Sequence, residues 1–220
     1  RSPADSEKVY TEALEIVLRG LAERRVNFNG EFFSFKDIPL AVEPLQTPHP
    51  PVWYGVHSIE SAERAARRGL NIVSLDSAAE TRDFAAAFRK TWREINGARP
   101  LPKIGVSRFV VVAERAEEAL AAARRAYAIW RRSFLFLYST FGGAPKHPRP
   151  PTFDEIMTDG EGIAGTPEEV RAFFQAQQSE STANYLIGQF AFGDLSLEES
   201  LRSLELFARH VMPAINQVED

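Results

Sequence analysis

Cysteine is absent from the 220 residues. That excludes a disulfide scaffold, a thiolate metal site and a cysteine nucleophile, and it favours a cytoplasmic setting. No apolar run approaches the roughly 18–20 residues of a membrane span, and no cationic, apolar, small-residue leader opens the sequence. A soluble protein with no membrane partner is expected, and because the first residue is Arg1, a chain trimmed at its front. Neither charge sign is gathered into a block. The 26 Lys and Arg are interleaved with 30 Asp and Glu for a net charge of −4, which argues against nucleic acid as a partner. There is no G-x-S-x-G elbow and no G-x-x-x-x-G-K loop, so hydrolase and nucleotide-phosphatase readings lose their usual support. What remains is 44% hydrophobic and 25% charged, ordinary globular material with enough apolar residues for a core.

The most informative stretch is 51–75, PVWYGVHSIESAERAARRGLNIVSL. An apolar run with Trp53 and Tyr54 predicts a strand, and His57 and Ser58 form a turn. Ser58 stands at an N-cap before a helix that Gly69 ends, and 70–75 predicts the next strand. A strand that returns in parallel through a helix is a βαβ unit, and ligands collect where the carboxyl ends of such strands meet helix N-termini. Unpaired backbone amides and the helix dipole both favour an anion there.

Elsewhere the hydrophobic period alternates between helix-like and strand-like. Apolar residues from Tyr10 to Leu21 predict a helix over 9–22, with Asn29-Gly30 breaking the pattern. Residues 31–35 predict a short strand, and the five prolines of 39–51 an extended connector. Ser77 and Glu80 frame a capping box for a helix ending at Asn96-Gly97. The apolar run 104–113 is the strongest strand signal, followed by a long helix over 116–138. Residues 141–165 are Gly- and Pro-rich, which predicts a lid-like insertion. Thr166-Pro167-Glu168-Glu169 caps a helix, 184–190 is a strand, and Ser196 with Glu199 caps a last helix ending near Pro213. Four strands, each followed by a helix, mean α/β with parallel strands.

Three segments carry a resemblance to a known family: FNGEFFSF with PLQTPHPPVW, the SIESAERAARRG turn and helix, and GTPEEV through FGDLSLEESLRSLELFARHVMP. The chain resembles the C-terminal half of the bacterial-luciferase-like flavin-dependent oxidoreductases. The resemblance implies a partial (β/α)8 TIM barrel, with strands five to eight, their helices and an insertion before the last strand. It would be one domain: helix and proline-rich connector (1–50), βαβαβα (51–140), lid-like insertion (141–165) and a final helix-strand-helix (166–220). It implies FMN as cofactor, or the deazaflavin F420, and a monooxygenase that uses reduced FMN and O2 to oxygenate a small, mostly apolar substrate. A flavin reductase as electron source and a homodimer are the expected partners. The alternatives are an F420-dependent oxidoreductase and a non-catalytic flavin-binding protein whose open strand edges are closed by a symmetric partner.

By the same resemblance His57, Ser58 and Ser61 hold the flavin phosphate. Ser58 is in any case an N-cap on local grounds, and an imidazole at His57 neutralises a phosphate or hydrogen-bonds within the turn. Arg108 interrupts an apolar strand. The favoured expectation is an end-of-strand arginine paired at the surface, and the alternative is a buried guanidinium needing an acidic partner. Trp53 and Tyr54 are expected to fill the core in preference to lining a flavin cavity. His49, His147 and His210 have no histidine or carboxylate at ligand spacing, so no metal is expected. The catalytic residues are left unassigned.

Overall fold

The computed structural model describes residues 3–215, and the expectations at Arg1 and over 216–220 lie outside them. Two compact units divide between Val52 and Trp53. The first holds α1 (Pro3–Ala22) and an antiparallel pair, β1 (Arg25–Asn29) and β2 (Ser34–Pro39). The helix starts earlier than its apolar period, with Pro3 in the opening turn and Asp5 favourably placed there. Residues 31–33, expected in a strand, form the turn of the hairpin. The Glu12 carboxylate accepts the N–H groups of Glu31, Phe32 and Phe33 at 2.6, 3.0 and 3.1 Å, so these amides cannot join a ladder. Val26 and Phe28 are buried.

The second unit runs β3 (Trp53–Gly55), α2 (Ile59–Arg67), β4 (Asn71–Ser74), α3 (Ala78–Asn96), β5 (Ile104–Val112), α4 (Ala116–Phe141), α5 (Phe153–Thr158), β6 (Gly162–Gly165), α6 (Pro167–Ser181), β7 (Tyr185–Gln189) and α7 (Leu197–Leu206). All pairings in its sheet are parallel, as the alternation of periods requires. Every residue of β5 is buried, because both faces are covered. Val110 and Val112 pack with Val170, Phe174 and Leu206. Phe109 and Val111 pack with Ala123, Tyr127, Phe153 and Phe192.

Strand β5 is longer than its partners, which accounts for a fifth strand that the sequence reading lacks. Val73 pairs with Gly105 near the start of β5, and β6 pairs with Phe109 to Val112 near its end. The acceptors of the Ile72 and Phe109 amides, Lys103 O and Glu161 O, put β4 and β6 on the same side of β5 in succession. Part of the segment expected as an insertion is therefore α5 and β6, and the irregular stretch is 142–152. The sequence GIAG hides a strand because packing requires its glycine. A Cβ on Gly162 would meet Ile156 Cγ2 at 2.8 Å and Phe109 Cβ at 3.0 Å.

On the other side of β5, β7 ends at the level of Phe109. The N–H of Val112 is then accepted by Ser203 Oγ of α7 at 2.8 Å. Among the described residues β3 pairs only with β4 and β7 only with β5, so both outer strands keep a free edge. No helix among the described residues is long and apolar enough to cross a membrane.

Candidate functional site

The carboxyl ends of β3 and β4 lie side by side, and the turns that follow them carry the site. After β3 come Val56, fully buried, then His57 and Ser58, the N-cap of α2. Ser58 Oγ accepts the Ser61 N–H at 3.2 Å. Ser61 Oγ accepts the N–H groups of Ser58 and His57 at 3.1 and 3.3 Å and donates to Ser58 O at 2.8 Å. Ser61 is thus buried in the turn and fixes its shape, whereas Ser58 is the hydroxyl at the rim.

Glu60 lies one turn-position further on. Its own backbone N–H and then the Ser58 hydroxyl hold its carboxyl below the usual carboxylate range. A negative charge of the protein itself therefore rests on the α2 N-terminus, where dipole and free amides stabilise it. The Glu60 side chain is exposed.

Asp76, two residues beyond β4, faces His57. Its Oδ2 and Oδ1 lie 2.8 and 3.0 Å from His57 Nδ1, and since an ionised carboxylate only accepts, that nitrogen carries the proton. Ser74 Oγ accepts the Asp76 N–H at 3.1 Å and holds the turn. The ring of His147, from the irregular stretch, stacks on His57 with centroids 4.3 Å apart and planes 19° off parallel. One atom each of His57, Asp76 and His147 lie within 4.8 Å of one another.

The stretch bearing His147 is anchored just beyond it. Arg149 Nη1 donates to Leu75 O at 3.1 Å and to Glu161 Oε2 at 2.7 Å. Tyr127 Oη and Arg131 Nε donate to Pro150 O at 2.8 and 3.0 Å. Burial raises the Glu161 carboxyl, and Arg149 opposes that shift.

Sequence reasoning named His57, Ser58 and Ser61, and the structure brings these three together in one turn. It missed Glu60, Asp76 and His147. Asp76 carried a legible signal, a polar residue just past a strand end. His147 carried none, for 90 residues separate it from His57. Arg108 departs from the favoured expectation: it is fully buried, with Nε on Gln177 Oε1 at 2.7 Å and Nη1 on Ser107 O at 2.8 Å. Burial pushes its guanidinium down to about 10, Glu161 and Asp76 opposing. Trp53 is half-buried against Tyr185, with ring centroids 5.1 Å apart.

Residues 2–183 match the family described as Luciferase-like monooxygenase. The uncharacterized protein y4wF of Sinorhizobium fredii (strain NBRC 101917 / NGR234) is 34% identical over 193 residues, covering 87% of this chain and 56% of its own. The FMNH(2)-dependent dimethylsulfone monooxygenase of Pseudomonas putida is 24% identical over 225 residues, covering 92% of this chain and 56% of its own. The crystal structure of monooxygenase RslO1 from Streptomyces bottropensis superposes with a TM-score of 0.78 at 25% identity, over 96% of this chain and 62% of that one. The chain spans about half the length of these curated relatives. Its parallel sheet and helices match luciferase-like TIM-barrel structures over about 60% of their chains.

Proposed function

Because the chain belongs to the luciferase-like monooxygenase family, we propose that the protein containing it binds FMN by its phosphate at the α2 N-terminus and oxygenates a small, mostly apolar organic molecule. One observation carries this reading: after parallel β3 the His57-Ser58 turn, its N–H groups held by Ser61 Oγ, opens onto the N-terminus of α2 with Ser58 as the N-cap. Phosphate takes the Ser58 hydroxyl and the amides at the helix start, with the exposed Glu60 of the first turn displaced to solvent. Ser61 keeps the His57-Ser58 turn in the shape that presents them.

Reduced flavin, when bound, supplies the electrons that activate O2, which leaves the protein to position the ring and exclude water. Residues 142–152, tied down at Arg149 and Pro150, provide part of that cover. A flavin reductase delivers the reduced cofactor, and a second copy of the protein completes a homodimer.

Titration of the whole protein with FMN tests the site. Replacing Ser58 and Ser61 together by Ala weakens binding about tenfold, the equivalent of one or two hydrogen bonds. An unchanged affinity removes the site. Substrate-stimulated O2 uptake with reduced FMN identifies the oxygenase. Flavin binding without stimulation favours a non-catalytic flavoprotein, and turnover with F420 alone favours the deazaflavin branch.

A further inference from the structure

The His57, Asp76 and His147 cluster extends the site beyond the turn of α2. Two histidines and a carboxylate are a familiar metal set, but the geometry here does not suit one. A metal must lie in the plane of each imidazole, about 2 Å from its nitrogen. Rings stacked 4.3 Å apart and 19° from parallel keep their lone pairs in separate, near-parallel planes that share no point within metal reach of both. The Asp76 carboxylate is also engaged by the proton on His57 Nδ1.

Stacking instead places a second imidazole beside His57, and ring N–H groups are donors that suit the oxygens of a phosphate group. Asp76 turns the His57 ring so that Nε2 faces away from the carboxylate. His147 is exposed, and its chain is anchored two residues later by Arg149 to the carbonyl oxygen of Leu75, the residue directly after β4.

We propose that His147 is a direct ligand of the flavin phosphate and that Asp76 is the positioning residue that orients His57 beside it. The segment 142–152 is then a wall of the cofactor site in addition to a cover over the substrate. This rests on the assignment of a flavin phosphate to the α2 N-terminus.

The test compares FMN with riboflavin, which lacks the phosphate, in the whole protein. The ratio of the two dissociation constants isolates the phosphate, and riboflavin binding reports that each variant is folded. His147→Ala lowers the FMN preference about tenfold and Asp76→Asn about fivefold, as expected for single charge-assisted contacts, with riboflavin affinity unchanged. Asp76→Glu, which keeps a carboxylate for Nδ1–H where Asn offers a neutral amide, retains part of the preference. Wild-type preference in both His147→Ala and Asp76→Asn, with loss of preference in the Ser58/Ser61 double variant, overturns the inference and leaves the α2 site standing. Tighter FMN binding by Asp76→Asn overturns it as well, since Asp76 then merely repels the phosphate. Stoichiometric binding of Zn2+ or Mn2+ that His147→Ala abolishes assigns the cluster to a metal and also overturns it. A wild-type protein that does not distinguish FMN from riboflavin removes the underlying phosphate site.

Discussion

Removing the hydroxyl of Ser203 tests how the sheet ends. Val112, last residue of β5, points its N–H to the side where β7 has already stopped, and Ser203 Oγ accepts it at 2.8 Å. Both residues are 2% exposed, so water cannot take the place of the hydroxyl. In Ser203→Ala the bond is lost and a buried donor is left without a partner. An unsatisfied buried amide costs about 1–3 kcal/mol, and the small void adds little, so about 2 kcal/mol is expected. For a unit of this size that lowers Tm by about 4–8 °C. Urea unfolding and calorimetry measure it, with Ser139→Ala as control, since that exposed hydroxyl only bonds back to Phe136 O within α4. A loss below about 0.5 kcal/mol would refute the claim that a side chain replaces the missing strand partner.

Two further substitutions probe the layer around α4. Burial pushes the Tyr127 phenol up to about 12, above its ordinary value near 10, so its contribution to stability is complete below pH ~10 and is lost as pH rises toward ~12. The two-unit shift corresponds to about 3 kcal/mol; Tyr127→Phe removes this alkaline loss, and urea midpoints at pH ~8 and ~11 for both proteins measure it. Parallel midpoints at the two pH values contradict the assignment. Gly193 has φ +60°, and a Cβ there would lie 1.8 Å from Ala126 O. Gly193→Ala is expected to cost more than about 4 kcal/mol, since backbone on both sides must move. A soluble variant with near wild-type Tm disproves that close approach.

The local signals in the sequence were read correctly where neighbouring residues alone decide the conformation. Ser58, Ser77, Thr166 and Ser196 each cap a helix, each as part of a capping box. A cap depends on a side chain and amides three residues apart. The apolar run of 104–113 marks β5, because a strand covered on both faces is apolar nearly throughout, with Ser107 and Arg108 the exceptions. The strand expected over 31–35 starts only at Ser34, because Glu12, distant in sequence, takes the amides of 31–33. Strand β6 has no legible pattern because Gly162 answers to Ile156 and Phe109, distant contacts that the segment itself does not record.

The sequence by itself determined the alternation of strands and helices, the parallel sense of the sheet and the capped turn at His57, Ser58 and Ser61. These follow from hydrogen bonds and apolar periods that span a few residues. Tertiary structure alone decided that Asp76 reaches His57, that His147 stacks on it across the sheet end and that Arg108 is buried. Such meetings depend on which strand ends become neighbours and how a Gly- and Pro-rich segment is pinned between them. Side-chain spacing along the chain carries no record of that.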